Sequence, residues 1–261
     1  MPTRFVTPCD PPAAHFLREA YQFVARIWQH TARDETPDQG FERLFREHCI
    51  ERLNGWKISA AREMQLGAAR ETASGVLHEI DLVALHDSAT AVSELKNYQV
   101  TPGKNDIIIF HAKVLDYMLA NADLILRELC LAFIASTNLE NPTLATCLGL
   151  GIHPVTPQLR PLPVIIQNAT YWERKIREGA NISNAVMTRF EDFCARLSKV
   201  AVSLSETWPS SRFGYQGPSR IVVRTAAFSD TDNLLEDFRS LNADCVFLKE
   251  VFESPQEMDF P

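Results

Sequence analysis

The chain has 261 residues, 46% of them hydrophobic and 23% charged, with a net charge of −7, the profile of a soluble globular protein with room for one large domain or a core domain and an appendage. No run of 18 or more apolar residues occurs, so neither a spanning helix nor a membrane partner is expected, and MPTRFVTPCDPP carries no apolar secretory segment. The charge is segregated: residues 229–261 hold nine acids against Arg239 and Lys249, so the first 228 residues sum to about zero and any nucleic-acid affinity must come from local patches.

Along the chain, Phe16, Leu17, Ala20, Tyr21, Val24, Ile27 and Trp28 recur at three- and four-residue spacing and predict an amphipathic helix over 12–33. After the loop 34–40, Phe41, Leu44, Phe45, Cys49 and Leu53 predict a second helix over 39–53, ended by a left-handed cap at Asn54-Gly55. A weak strand signal at 56–64 precedes two clear strands, 76–85 and 90–98. Pro102-Gly103 breaks the chain before a helix over 104–121, and ELCLAFIAST (128–137) reads as a strand covered on both faces. A short helix over 141–149 follows, then a strand near GIHPVT and a buried strand or extended connection at 161–168. Helices are expected over 171–179 and 183–206, a turn-rich linker at 211–219, a strand at 220–228 and a last helix over 231–241. Helices alternating with strands give the α/β class with a mixed central sheet. The expected organisation is an N-terminal helical segment (1–38), a core (39–170) and a C-terminal α/β extension (171–261) with an acidic tail.

The two clear strands carry four charges: Glu79, Asp81, Glu94 and Lys96. If Asp87-Ser88 form a two-residue hairpin turn, opposed residues have numbers summing to 175. Asp81 then faces Glu94 and Glu79 faces Lys96, all four on one face of the sheet. Two opposed carboxylates repel, and burial raises the cost of leaving them unpaired. Lys96 supplies one positive charge, and a divalent ion with hard oxygen ligands, Mg²⁺ or Mn²⁺, would supply two more. The alternative is a salt-bridge ladder on an exposed sheet face. A second E-x-K, Glu173-Arg174-Lys175, sits in a helical context with no Asp or Glu from 141 to 172 and reads as a solvated helix face. The first has an apolar strand on each side and an acid in register, which favours the metal site.

Asp81, followed after an apolar strand by Glu94-Leu95-Lys96, resembles the D…(D/E)-x-K signature of the PD-(D/E)XK, restriction-endonuclease-like nuclease superfamily. HEIDLV and VSELKN are most similar to the Mrr-like and Holliday-junction-resolving versions. The resemblance covers about residues 39–155 and implies an αβββαβ core. It implies that Asp81 and Glu94 hold Mg²⁺, or Mn²⁺ in its place, with the Leu95 carbonyl and Glu42 as further ligands, and that Lys96 orients the attacking water. The family's Q-x-x-x-Y pattern corresponds here to Lys113 through Tyr117, with lysine in place of glutamine, and its Pro before the Asp is replaced by Ile80. Glu79, Lys113 and Tyr117 are candidate substrate or phosphate contacts. So are Arg212 and Arg220, in a basic, aromatic-bearing loop with Phe213 and Tyr215, although a plain turn accounts for the same composition.

The implied activity is metal-dependent endonucleolytic hydrolysis of phosphodiesters, with DNA as partner. A homodimer is a candidate assembly, since many such nucleases pair to cut both strands, and the C-terminal region is a candidate surface for a protein partner. The competing reading is a nuclease-fold subunit that no longer cuts and binds nucleic acid or protein. His78 falls on the strand face opposite Asp81 and reads as buried structure or a helix contact. No H-E-x-x-H, G-x-S-x-G or Walker pattern occurs. The six cysteines, Cys9, Cys49, Cys130, Cys147, Cys194 and Cys245, form no C-x-x-C pair and are expected as reduced, buried thiols of a cytoplasmic protein.

Overall fold

A computed structural model describes residues 11–27, 37–60, 72–97, 101–120, 128–205, 213–215, 221–223 and 231–253. In chain order the elements are α1 (Pro11–Ile27), α2 (Pro37–Arg52), β1 (Lys57–Ala60), β2 (Leu82–Leu85), β3 (Ala89–Lys96), α3 (Lys104–Ala120), β4 (Glu128–Ala135), α4 (Asn141–Leu150), β5 (Ile152–Val155), α5 (Leu162–Arg177), α6 (Asn184–Ser205), β6 (Phe213–Tyr215), β7 (Ile221–Val223) and α7 (Thr231–Glu253).

The first five strands form one mixed sheet in sequence order, β1-β2-β3-β4-β5. The β1–β2 and β2–β3 pairs are antiparallel; β3–β4 and β4–β5 are parallel. The parallel strands are almost wholly apolar because helices cover both faces. On one face, alternate residues Val83, Val92, Leu131 and Phe133 pack with Ile107, Phe110 and Val114 of α3. Leu144 of α4, Ile165 and Trp172 of α5, Phe193 of α6 and Phe238 of α7 join that same cluster. On the other face, Leu82, Ala84, Ala91, Leu95, Ala132 and Ile134 meet Phe16, Leu17 and Val24 of α1 and Phe41 and Phe45 of α2. The small residues of this face let α1 lie close, and rings do the filling: Phe23 stands 5.1 Å from Phe45 and 5.4 Å from Phe41, centroid to centroid.

The hairpin has the expected register. Leu82 opposes Ser93, Val83 opposes Val92 and Leu85 opposes Thr90. His86 donates its N–H to the Ala89 carbonyl at 2.8 Å, leaving Asp87-Ser88 as the two-residue turn. The cap after α2 also forms: Gly55 takes a φ of 84°, which a side chain would strain.

Four expectations need correction. The strand expected over 76–85 begins only at Leu82. The stretch before it is turned instead: Thr72 Oγ1 donates to the Val76 carbonyl at 2.6 Å, and Leu77 is 73% exposed. Ile80 consequently packs in the same cluster as Val83, which strand alternation would forbid. The apolar run 161–168 is no strand but the opening of α5. Pro163 needs no N–H partner in a first helical turn, and an apolar run this short does not distinguish a buried helix from a buried strand. Finally, the linker at 211–219 contains β6, paired antiparallel with β7, and the last helix runs on to Glu253.

Candidate functional site

Asp81 sits one residue before β2, and the β2–β3 register continued by one step sets it against Glu94. Its Oδ2 accepts the backbone N–H of Leu95 at 2.6 Å, so the carboxylate is tied to the strand that carries the other acid. Glu94 and Lys96 lie two residues apart near the end of β3, on the face covered by α3. Lys96 Nζ is 2.6 Å from Glu94 Oε1 and 4.0 Å from Asp81 Oδ2. A second amine comes from α3, where Lys113 Nζ donates to Glu94 Oε1 at 3.5 Å. On α3, Phe110 and Val114, three before and one after Lys113, are buried against the sheet, and this packing delivers Lys113 to the same edge.

The cluster is shielded from water. The side chains of Glu94 and Asp81 are only 5% and 9% exposed, and those of Lys96 and Lys113 18% and 23%. Burial therefore dominates the chemistry of Asp81 and pushes its pKa up to about 7. The charge of Glu94 pushes the same way; the Leu95 N–H and Lys96 oppose, and Glu42 adds the smallest upward contribution. Glu94 Oε1 is held by two amines, whereas its Oε2 is buried without a hydrogen-bond partner. An orphaned carboxylate oxygen of this kind is costly as it stands, and a cation would satisfy it.

The remaining candidates distribute unevenly. Glu42, on α2, is close enough to act on Asp81 through its charge. Yet no three His, Cys, Asp or Glu side chains among the described residues form a group that could hold a metal. The geometry thus offers the Asp81–Glu94 pair rather than a three-carboxylate set. Leu95 sends its side chain into the opposite core, beneath α1 and α2. Glu79 is exposed and joins none of the ion pairs of this cluster; its expected place opposite Lys96 is lost because pairing stops at Leu82. Tyr117 is buried at 3%, packed in the core one turn beyond Lys113. Arg212 and Arg220 lie outside the described residues.

Sequence reasoning expected a structural or helix contact for His78 and missed its partner, Asp116, which ties the stretch before Asp81 to α3. Asp116 of α3 accepts the N–H of Ser74 at 2.8 Å through Oδ1. Its Oδ2 takes the Ser74 hydroxyl and stands 2.7 Å from His78 Nε2. These bonds hold its pKa below the ordinary carboxylate range, the Ser74 hydroxyl contributing most. His78 is therefore a tether to α3. The partners are 42 and 38 residues apart, and no spacing pattern advertises such a pair.

No protein-family model, curated protein or solved structure matches this chain.

Proposed function

We propose that this protein is a Mg²⁺-dependent nuclease that hydrolyses phosphodiester bonds, with DNA as its substrate. One observation carries the reading: two shielded carboxylates, Asp81 and Glu94, meet on paired strands beside Lys96, and one Glu94 oxygen has no partner. Glu19 also has a buried Oε2 without a hydrogen bond, with His48 Nε2 3.4 Å away; what sets Glu94 apart is the second carboxylate, Asp81, beside it.

The residues present fit a Mg²⁺ ion, which commonly takes one or two carboxylates and completes its shell with water and substrate phosphate. Asp81 and Glu94 would hold it, and Mn²⁺ would substitute. When bound, it would supply Lewis-acid neutralisation of charge on the phosphate. The chain's own residues do the rest. Lys96 swings from Glu94 to orient the water that displaces the 3′ oxygen in line. Lys113, on the helix above, meets a non-bridging phosphate oxygen as a point charge. The Leu95 N–H fixes the Asp81 carboxylate so that it need not reorganise.

A second reading is favoured by the same lysines. Both bond Glu94 Oε1, so they supply counter-charge without metal, as suits a non-cleaving protein that binds nucleic acid or a protein partner. Plasmid and single-stranded DNA incubated with the purified protein separate the two. The nuclease cuts with Mg²⁺ or Mn²⁺ and not with EDTA. Asp81→Ala and Lys96→Ala each lower cutting by about 100-fold or more while the fold persists. Full activity in Lys96→Ala would defeat the mechanism. Absent cutting together with absent Mn²⁺ binding by calorimetry would favour the second reading.

A further inference from the structure

A separate cleft of about 780 Å³ opens between α1, α5 and α7, within the size range of small-molecule sites. Its charge is unlike that of the chain. The protein carries −7 overall, and α7 belongs to the acidic segment. Yet the cleft is lined by Arg18, Arg160, Lys175 and Lys249 against one acid, Glu253. Four cations around one cavity repel one another unless something anionic enters.

Two of the four lack a carboxylate partner among the described residues. Arg18 reaches Glu19 at 3.4 Å and Lys249 reaches Glu253 at 3.8 Å. Arg160 and Lys175 form no ion pair with a carboxylate among the described residues. Each is instead set over a ring: the Arg160 guanidinium lies 5.3 Å from the centroid of Tyr21, and Lys175 Nζ lies 5.7 Å from that of Tyr171. Both tyrosines line the cleft. The main chain at Arg160 is fixed at the cleft, because its backbone N–H donates to Asn242 Oδ1 at 2.6 Å and the preceding turn is closed by bonds between Thr156 and Leu159.

We infer that this cleft binds a nucleotide, its phosphates taken by Lys175 and the edge of the Arg160 guanidinium and its base stacked on the Tyr21–Arg160 surface. Phosphate favours the planar fork of arginine, and bases stack on tyrosine rings and guanidinium planes alike. Gln22 and Gln167, also on the lining, carry amides of the kind that read base edges. The aromatic content selects a nucleotide over a bare phosphate or an acidic peptide. The same chemistry is offered by a free nucleoside triphosphate and by the end of a single strand.

The inference is independent of phosphodiester hydrolysis, so the titrations are run on the full chain in EDTA, with no divalent ion. ATP, GTP, CTP, UTP and an oligo-dT octamer are titrated by calorimetry. Binding is expected for the triphosphates, the octamer or both. Saturation by triphosphates alone identifies a free nucleotide as the occupant, and by the octamer alone a strand end. Arg160→Ala and Lys175→Ala should each weaken that binding by about tenfold, which is 1.4 kcal/mol. Arg177→Ala, an exposed cation paired with Glu173 away from the cleft, should leave it unchanged. Circular dichroism confirms that the variants fold. No binding of any probe at millimolar concentration overturns the inference. So does binding that survives both substitutions, or a polyglutamate peptide that binds more tightly than every nucleotide probe.

Discussion

Asp81 is the described carboxylate that its surroundings shift furthest. Burial and the neighbouring Glu94 raise its pKa from 3.8 to about 7, so the folded protein holds that proton more tightly than the unfolded chain. Between about pH 4 and pH 7 the unfolded chain therefore binds fewer protons, and folding stability of the metal-free protein falls as pH rises across that window. Asp81→Asn removes the charge and keeps an oxygen to accept the Leu95 N–H. In EDTA near pH 8 the variant should be more stable than the parent, by on the order of a few kcal/mol. The advantage should vanish as the pH nears 4. Thermal melts across that range measure it, and a variant no more stable than the parent at pH 8 would show that the carboxylate is not strained by its surroundings. A bound divalent ion reverses the balance, because it competes with the same proton; its affinity should rise with pH through about 7.

Among the elements, the hairpin was the most legible part of the chain. A two-residue turn fixes the register, and the register alone sets Asp81 against Glu94. Sequence pattern also located α3, β4 and α4 to within a residue or two, since their boundaries fall at Pro, Gly or a change of period. It failed where a distant side chain decided the local shape. Residues 76–81 have strand-like composition, but Asp116 pulls Ser74 and His78 onto α3 and bends the chain away from the sheet edge. Lys113 was legible as a candidate only through the resemblance of Lys113–Tyr117 to a Q-x-x-x-Y pattern; that it bonds Glu94 depends on how α3 lies across β3. The tether makes its own forecast. Asp116→Ala should leave the global melt nearly unchanged and free the approach to Asp81. Amide exchange at Ser74 should then speed up by on the order of tenfold or more, with smaller increases through Ile80. Cleavage, if the hydrolytic reading holds, should fall with it. Unchanged exchange at Ser74 would mean that the loop is held by its own turn and by the Ala73 N–H on the Asp116 carbonyl, and not by the Asp116 side chain.

At the scale of the whole molecule, the issue is whether the C-terminal third is an attachment or a structural wall. Sequence reading set a boundary at 170, beyond which the pattern changes to helical. The packing crosses that position. Trp172 is fully buried in the cluster that also contains Val92 and Phe133 of the sheet, and it stacks on Phe252 of α7 at 5.9 Å. Leu235, Phe238, Leu241, Cys245 and Leu248 of α7 are buried in that same cluster. Each such side chain contributes about 1.5–3 kcal/mol by leaving water. Together they are of the same order as the entire net stability of a domain, roughly 5–15 kcal/mol. A chain cut after residue 230 should therefore lose its cooperative melt and bind a hydrophobic dye, although every residue of the Asp81–Glu94–Lys96 cluster is still present. Circular dichroism and a melt of the shortened chain measure this. A sharp transition within a few degrees of the full-length protein would instead establish that the core stands alone and that α7 is an appendage laid upon it.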